Sequence, residues 1–157
     1  MIREDRHFLI SSGEYILTGK VKKVEKESRI NRISEVLAIF PAVRVAYVYG
    51  SVLTRDDFRD IDIALFLDEA LSDEDQVSAA EVVGFSLEEA LSFSHVCDIK
   101  ILNDAPVWFQ YEVIRHGRPV YARTDGERFD RETSILIAYL DMKYSFDLFD
   151  HEYLARV

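Results

Sequence analysis

Three aspartates and one glycine–serine pair carry the chemistry that can be read in this chain. Asp60 and Asp62 stand one residue apart at the head of the run "DIDIALFL". Carboxylates form strands poorly and are costly in a buried sheet. Here they alternate with Ile61, Ile63, Leu65 and Leu67, as a half-buried strand requires. Side chains alternate across a strand, so Asp60 and Asp62 share one face and the apolar residues take the other. Two like charges held this close repel and raise each other's pKa. A hard divalent cation such as magnesium, which prefers oxygen ligands, removes that penalty. A third acid, Asp98, lies in "VCDIKIL". If that strand neighbours the first, the three carboxylates can hold two metal ions on either side of an in-line phosphoryl displacement.

Gly50-Ser51 ends the apolar run "VRVAYVY". Glycine lets backbone approach a ligand closely. The N–H groups that follow and the Ser51 hydroxyl suit phosphate oxygens. Phosphates held by metal on one strand and gripped by a turn on the strand before it are what transfer from a nucleoside triphosphate needs. Arg55, Arg59 and Lys100 are cations able to neutralise a triphosphate, and equally ordinary members of surface ion pairs. His95 and His116 read as caps or solvated groups at helix ends. Cys97 alternates with Asp98 and reads as core, as do Trp108 and Phe109.

The elements that must position these residues follow from periodicity. Residues 1–28 are set apart as an N-terminal extension. Phe8-Leu9-Ile10, "SSGE" and Tyr15-Ile16-Leu17 suggest a hairpin there, and "KVKKVEK" a solvated face. Residues 29–157 form the second unit. Ile30, Ile33, Leu37 and Phe40 make a helical stripe ending at Pro41. Strands are expected at Val43–Tyr49 and Ile61–Leu67. A helix follows, capped by Ser72, with acids in its first turn and a stripe of Val77, Ala80, Gly84, Leu87 and Leu91. "HVCDIKIL" is the third strand. A short helix follows, with Asp104 as cap, Pro106 in its first turn and Gly117 at its end. "RPVYA" suits an edge strand. Glu132–Arg156 reads as a long helix with a main stripe of Ile135, Tyr139, Met142, Phe146, Phe149 and Tyr153. A second ridge runs through Leu136, Leu140, Tyr144 and Leu148. The order predicts an α/β (α+β) domain, a small mixed sheet with helices on one face and a long C-terminal helix.

Composition narrows the function further. The net charge of −10 lacks the basic footprint of a duplex-binding protein. An acidic surface suits a cationic partner, a metal-bridged anionic substrate or solubility. A single cysteine excludes an internal disulfide framework. No apolar run approaches the ~20 residues that cross a bilayer, and the first residues make a poor signal peptide. The expected location is the cytoplasm.

"YGS", eight residues, "DIDIAL", and then "DIKIL" about thirty-five residues on resembles the signature of the DNA polymerase β-type nucleotidyltransferases. Length and ending resemble the minimal members, the MNT proteins, often encoded beside a HEPN-domain toxin. The resemblance covers roughly Ile30 to Tyr121 and, more weakly, the last helix. It implies that Asp60 and Asp62 bind two Mg2+ ions. Asp98 binds the catalytic one and acts on the attacking hydroxyl, while Gly50 and Ser51 hold the nucleotide phosphates. Arg59 departs from the small residue usual before the first aspartate. The implied activity moves AMP from ATP to a hydroxyl, typically a tyrosine of the cognate HEPN ribonuclease toxin, which silences it. Two alternatives stand beside it: an antitoxin that acts by docking alone, and a small-molecule nucleotidyltransferase of the aminoglycoside type. Homo-oligomerisation is left open.

Overall fold

A computed structural model of the protein describes residues 10–154, with side chains from 22 to 151. Nine elements follow in chain order: α1 (Ile10–Leu37), β1 (Val43–Tyr49), α2 (Ser51–Thr54), β2 (Asp60–Leu67), α3 (Asp73–Ala90), β3 (Val96–Ile101), α4 (Val107–His116), β4 (Arg118–Ala122) and α5 (Asp125–Leu154).

The four strands form one mixed sheet in the order β3-β2-β1-β4. β1 runs antiparallel to β2 and β4, and β2 runs parallel to β3. The most apolar strands, β1 and β2, occupy the centre, and "RPVYA" takes an edge, where Pro119 has room for its missing N–H. Past β3 the Asn103 side chain stands in for a further ladder residue. Its Oδ1 accepts from Leu67 N at 2.9 Å and its Nδ2 donates to Leu67 O at 2.9 Å. The outer edge of β3 is partly shielded where Cys97 N donates to Glu88 Oε1 at 2.9 Å.

One sheet face packs on α1 and α3. Ile33, Leu37, Val83 and Leu87 meet Val48, Ile61, Ile63 and Cys97 there. The expectation of helices on one face holds for these two and is incomplete for the rest. On the second face Val113 of α4 and Ile135 of α5 cover Val45, Tyr47, Ala64 and Phe66. That second core gives α4 and the start of α5 an apolar surface to rest on, and it stops short of the carboxylate end.

Several boundaries differ from the sequence reading. The expected N-terminal hairpin is absent from residue 10 onward, where the chain is already α1; Phe8 and Leu9 lie outside the described residues. α1 runs unbroken through residue 28 because no proline interrupts it before Pro41. Glycines inside a helix cost only about 1 kcal/mol each relative to alanine. In α3 the cap is as expected, with Ser72 Oγ accepting from Asp75 N at 3.2 Å. Val83 is buried, however, and Val77 is exposed. α4 is capped by Pro106 rather than Asp104. The turn closed by Ala105 N on Leu102 O starts the helix after the proline and leaves Asp104 exposed. Trp108, expected in the core, is 54% exposed, while Phe109 is half-buried.

α5 begins seven residues earlier than expected. Thr124 Oγ1 accepts from Glu127 N at 3.1 Å, so "TDGE" is a capping-box pattern that the sequence reading passed over. The helix also overhangs its domain. Thirty residues of helix span about 45 Å, whereas the eight residues of β2 span about 27 Å. Ile135 is buried and Tyr139 stacks on Tyr111 at 3.8 Å. Further along the same stripe, Phe146 and Phe149 are 61% and 71% exposed. Tyr153 lies beyond the described side chains.

Candidate active site

β1 delivers Tyr49 to the open end of the second face and stops at Gly50. Gly50 has φ 76° and ψ −150°, a backbone that L side chains rarely adopt. A Cβ there would also collide with Asp62 Oδ2. Glycine is therefore required twice at this position, by the turn and by the approach of the carboxylate. Ser51 opens the single turn of α2, which Val52 anchors in the core.

Sheet register assembles the carboxylates. Asp62 pairs with Tyr49 on β1 and with Asp98 on β3, so the three side chains form a row across three neighbouring strands on one face. Asp60 lies two residues back on the same face and is exposed. The expectation that Asp98 sits on the strand beside Asp62 is met. Ser51, Arg55, Asp57, Phe58, Arg59, Asp60 and Asp62 line a cleft of about 430 Å³. Asp98 stands one strand beyond its wall.

The electrostatics follow from this crowding. Burial raises the Asp62 carboxyl above its ordinary range, the charges of Asp98 and Asp60 raise it further, and Lys100 opposes them. Burial, with Asp62 and Asp98 behind it, pushes the Tyr49 phenol up to about 12. The Tyr49 ring meets Phe109 edge-on at 6.0 Å, which gives the row an aromatic flank. Sequence periodicity offered no sign of that contact.

The expected cations divide. Lys100 Nζ lies 3.2 Å from Asp98 Oδ1, and Arg55 pairs with Asp57 at 3.2 Å. Arg59 lines the cleft. The expected bystanders also have places. Cys97 is buried, and its thiol is pushed up to about 12 by burial. His95 stacks on Phe58 at 4.8 Å, and His116 lies 3.5 Å from Glu112 at the end of α4. Among the described residues no three acidic, histidine or cysteine side chains converge closely enough to cage one ion. The carboxylates form an open row instead. Their donor type suits a hard cation, and Lys100 is the cation that pairs with the row, through Asp98.

A glycine–serine turn thus faces a row of aspartates on a mixed sheet, and these donor types suit a metal-bound polyphosphate. The polymerase β nucleotidyltransferase family model matches residues 31–126, and the chain belongs to that family of enzymes. Solved structures share its fold. A chain in the structure of tri-AMPylated Shewanella oneidensis HEPN toxin with MNT antitoxin superposes with a TM-score of 0.60. It is 18% identical, with 82% of this chain and 98% of that one covered. A toxin–antitoxin structure with AMP-PNP gives 0.60 at 20% identity, covering 80% and 98%. A mutant MntA–HepT toxin–antitoxin structure gives 0.61 at 17%, again covering 80% and 98%. At these identities the likeness is one of fold. A comparison with curated proteins finds no match. No helix among the described residues is long and apolar enough to cross a membrane.

Proposed function

We propose that this chain is a magnesium-dependent adenylyltransferase that moves AMP from ATP to a tyrosine hydroxyl of a HEPN-domain ribonuclease toxin, acting as its antitoxin in the cytoplasm. The observation that carries the reading is the Asp62–Asp98 register pair facing Gly50. The choice of AMP and of a toxin partner is supported by the likeness to a tri-AMPylated toxin complex and to one with AMP-PNP.

Gly50 and Ser51 hold the triphosphate, with Arg59 on the cleft wall. Asp60, Asp62 and Asp98 are the residues that would hold two magnesium ions, which supply charge neutralisation at the phosphoryl group. Asp98 takes the proton of the attacking hydroxyl. The hydroxyl oxygen forms its bond to the α-phosphorus as the bond to pyrophosphate breaks, and pyrophosphate leaves with the electron pair. Purified protein, α-labelled ATP, Mg2+ and the toxin encoded beside it should yield label on a toxin tyrosine. Toxin neutralised with no label transferred would overturn catalysis in favour of docking alone, and label on an aminoglycoside but not on protein would favour the small-molecule alternative.

The partner surface in this reading is the overhanging half of α5. Leu136, Leu140, Tyr144 and Leu148 are exposed along one ridge. Asp141 and Asp147 beside it outnumber Lys143, so it fits a helical partner with basic residues beside an apolar groove, better than a second acidic copy of this chain. Leu140→Glu with Leu148→Glu should leave the melting temperature unchanged and weaken toxin binding by at least about tenfold. Unfolding, unchanged binding, or loss of a homodimer alone would remove the ridge as the toxin surface.

A further inference from the structure

The run "KVKKVEK" lies ahead of the family span, which begins at residue 31. Its expected role as a solvated face does not hold for Lys26, whose side chain is only 17% exposed. Lys22, Lys26 and Arg29 fall at helical spacing and form one stripe of α1. Lys26 lies against the segment between α2 and β2. Its Nζ donates to the Arg55 carbonyl at 3.0 Å, lies 3.7 Å from Asp56 Oδ1 and sits 5.9 Å over the Phe58 ring. Lys22 adds its field at Asp57.

That segment has no regular structure, yet Arg55, Asp57, Phe58 and Arg59 make one wall of the cleft that ends at Asp60 and Asp62. Among the described residues, the Lys26 bond is the one hydrogen bond that ties residues 55–59 to an element other than α2. The next residue, Glu27, fastens α1 elsewhere. Both of its oxygens accept from Arg118 Nη1 at 2.9 Å, on the edge strand β4. Neighbouring residues of α1 thus make two separate anchors, of which only Lys26 reaches the cleft wall.

We propose that Lys26 is a positioning residue for the nucleotide: it holds the Arg55 carbonyl, and so sets the wall carrying Arg55 and Arg59 at the distance from Ser51 that a triphosphate needs. This rests on the nucleotidyl-transfer reading. It makes the part of α1 that precedes residue 31, outside the matched family span, a contributor to the site.

Lys26→Met keeps the stem and removes the charged donor. ATP binding by calorimetry should weaken and the KM for ATP should rise, each by about tenfold, because the cleft wall loses the charge-assisted hydrogen bond that holds it in place. The kcat should stay within about twofold, since the carboxylate row is untouched. Lys26→Arg should restore KM. Glu27→Gln, which loosens the β4 anchor, should leave KM unchanged whatever it does to melting. Equal ATP affinity in wild type and Lys26→Met overturns the proposal, as does a matching KM rise in Glu27→Gln, which would mark general anchoring of α1. Should Lys26→Met lose the fold, Lys26→Leu, which also lacks a donor, carries the same comparison. A wild-type protein that binds no ATP with Mg2+ would instead sink the nucleotide reading itself.

Discussion

The second face of the sheet carries charged groups at both ends, and the two ends are built in opposite ways. At one end Asp60, Asp62 and Asp98 lie in an open row, with Lys100 against Asp98. At the other, carboxylates and guanidinium groups interlock. Arg44 Nε donates to Glu127 Oε1 at 2.8 Å, Arg131 reaches Glu69 at 3.1 Å and Glu127 at 3.5 Å, and Arg44 reaches Asp68 at 3.6 Å. Nearby, Tyr47 donates to Glu132 at 2.8 Å. The pKa directions record the difference. Asp62 is raised, by burial first, whereas Glu127 is lowered, by the Arg44 hydrogen bond first. The roomier cleft, about 770 Å³, lies at the interlocked end, lined by Arg44, Glu127 and Arg131 among others. Size therefore points away from the chemistry. Carboxylates that serve the fold have their partners in place, and those proposed to serve transfer are held close together with little to offset their charge.

Exchanging one acid at each end tests this contrast most severely. Asp62→Asn should lower AMP transfer by at least about a hundredfold, with the fold intact. Glu127→Gln should leave transfer within about twofold, because nothing in its network touches the row. Equal activity loss in both variants would mean that the two ends are not functionally distinct.

A smaller effect appears in stability, without divalent ion. Thermal scans should show Asp62→Asn melting slightly above wild type and Glu127→Gln melting a few degrees below. Smallest are the pH trends, whose sign follows from linkage. A raised acid such as Asp62 destabilises the fold once ionised, a penalty removed as pH falls through its folded pKa toward the ordinary 3.8. A lowered acid such as Glu127 contributes stability at neutral pH, which is lost as pH falls below the ordinary 4.5 toward its folded pKa. The melting-temperature differences between each variant and wild type should therefore shrink toward zero on acidification, from opposite sides. Same-sided curves would break the contrast.

Much of the site was legible because its signals are local. Strand alternation put Asp60 and Asp62 on one face, Gly50 and Ser51 followed from a run that must turn, and Ser72 announced its helix. The missed features depend on neighbours far away in the chain. Trp108 has apolar character but stands on the outer side of α4. Phe109 gains its role only from Tyr49, and Lys26 only from Arg55. Thr124 was readable from its spacing to Glu127, and Gly126 between them masked it.

By itself the sequence determined the strands, most of the helices and the identity of the acids, because periodicity, capping and the cost of an unpaired carboxylate act over a few residues. Tertiary structure alone decided which acids meet. Parallel pairing of β2 with β3 sets Asp98 beside Asp62, and a shift of one residue would turn Asp98 to the other face. It also decided that α5 outruns the sheet and leaves Phe146 and Phe149 uncovered, since helix length is written locally but the surface available to bury it is not.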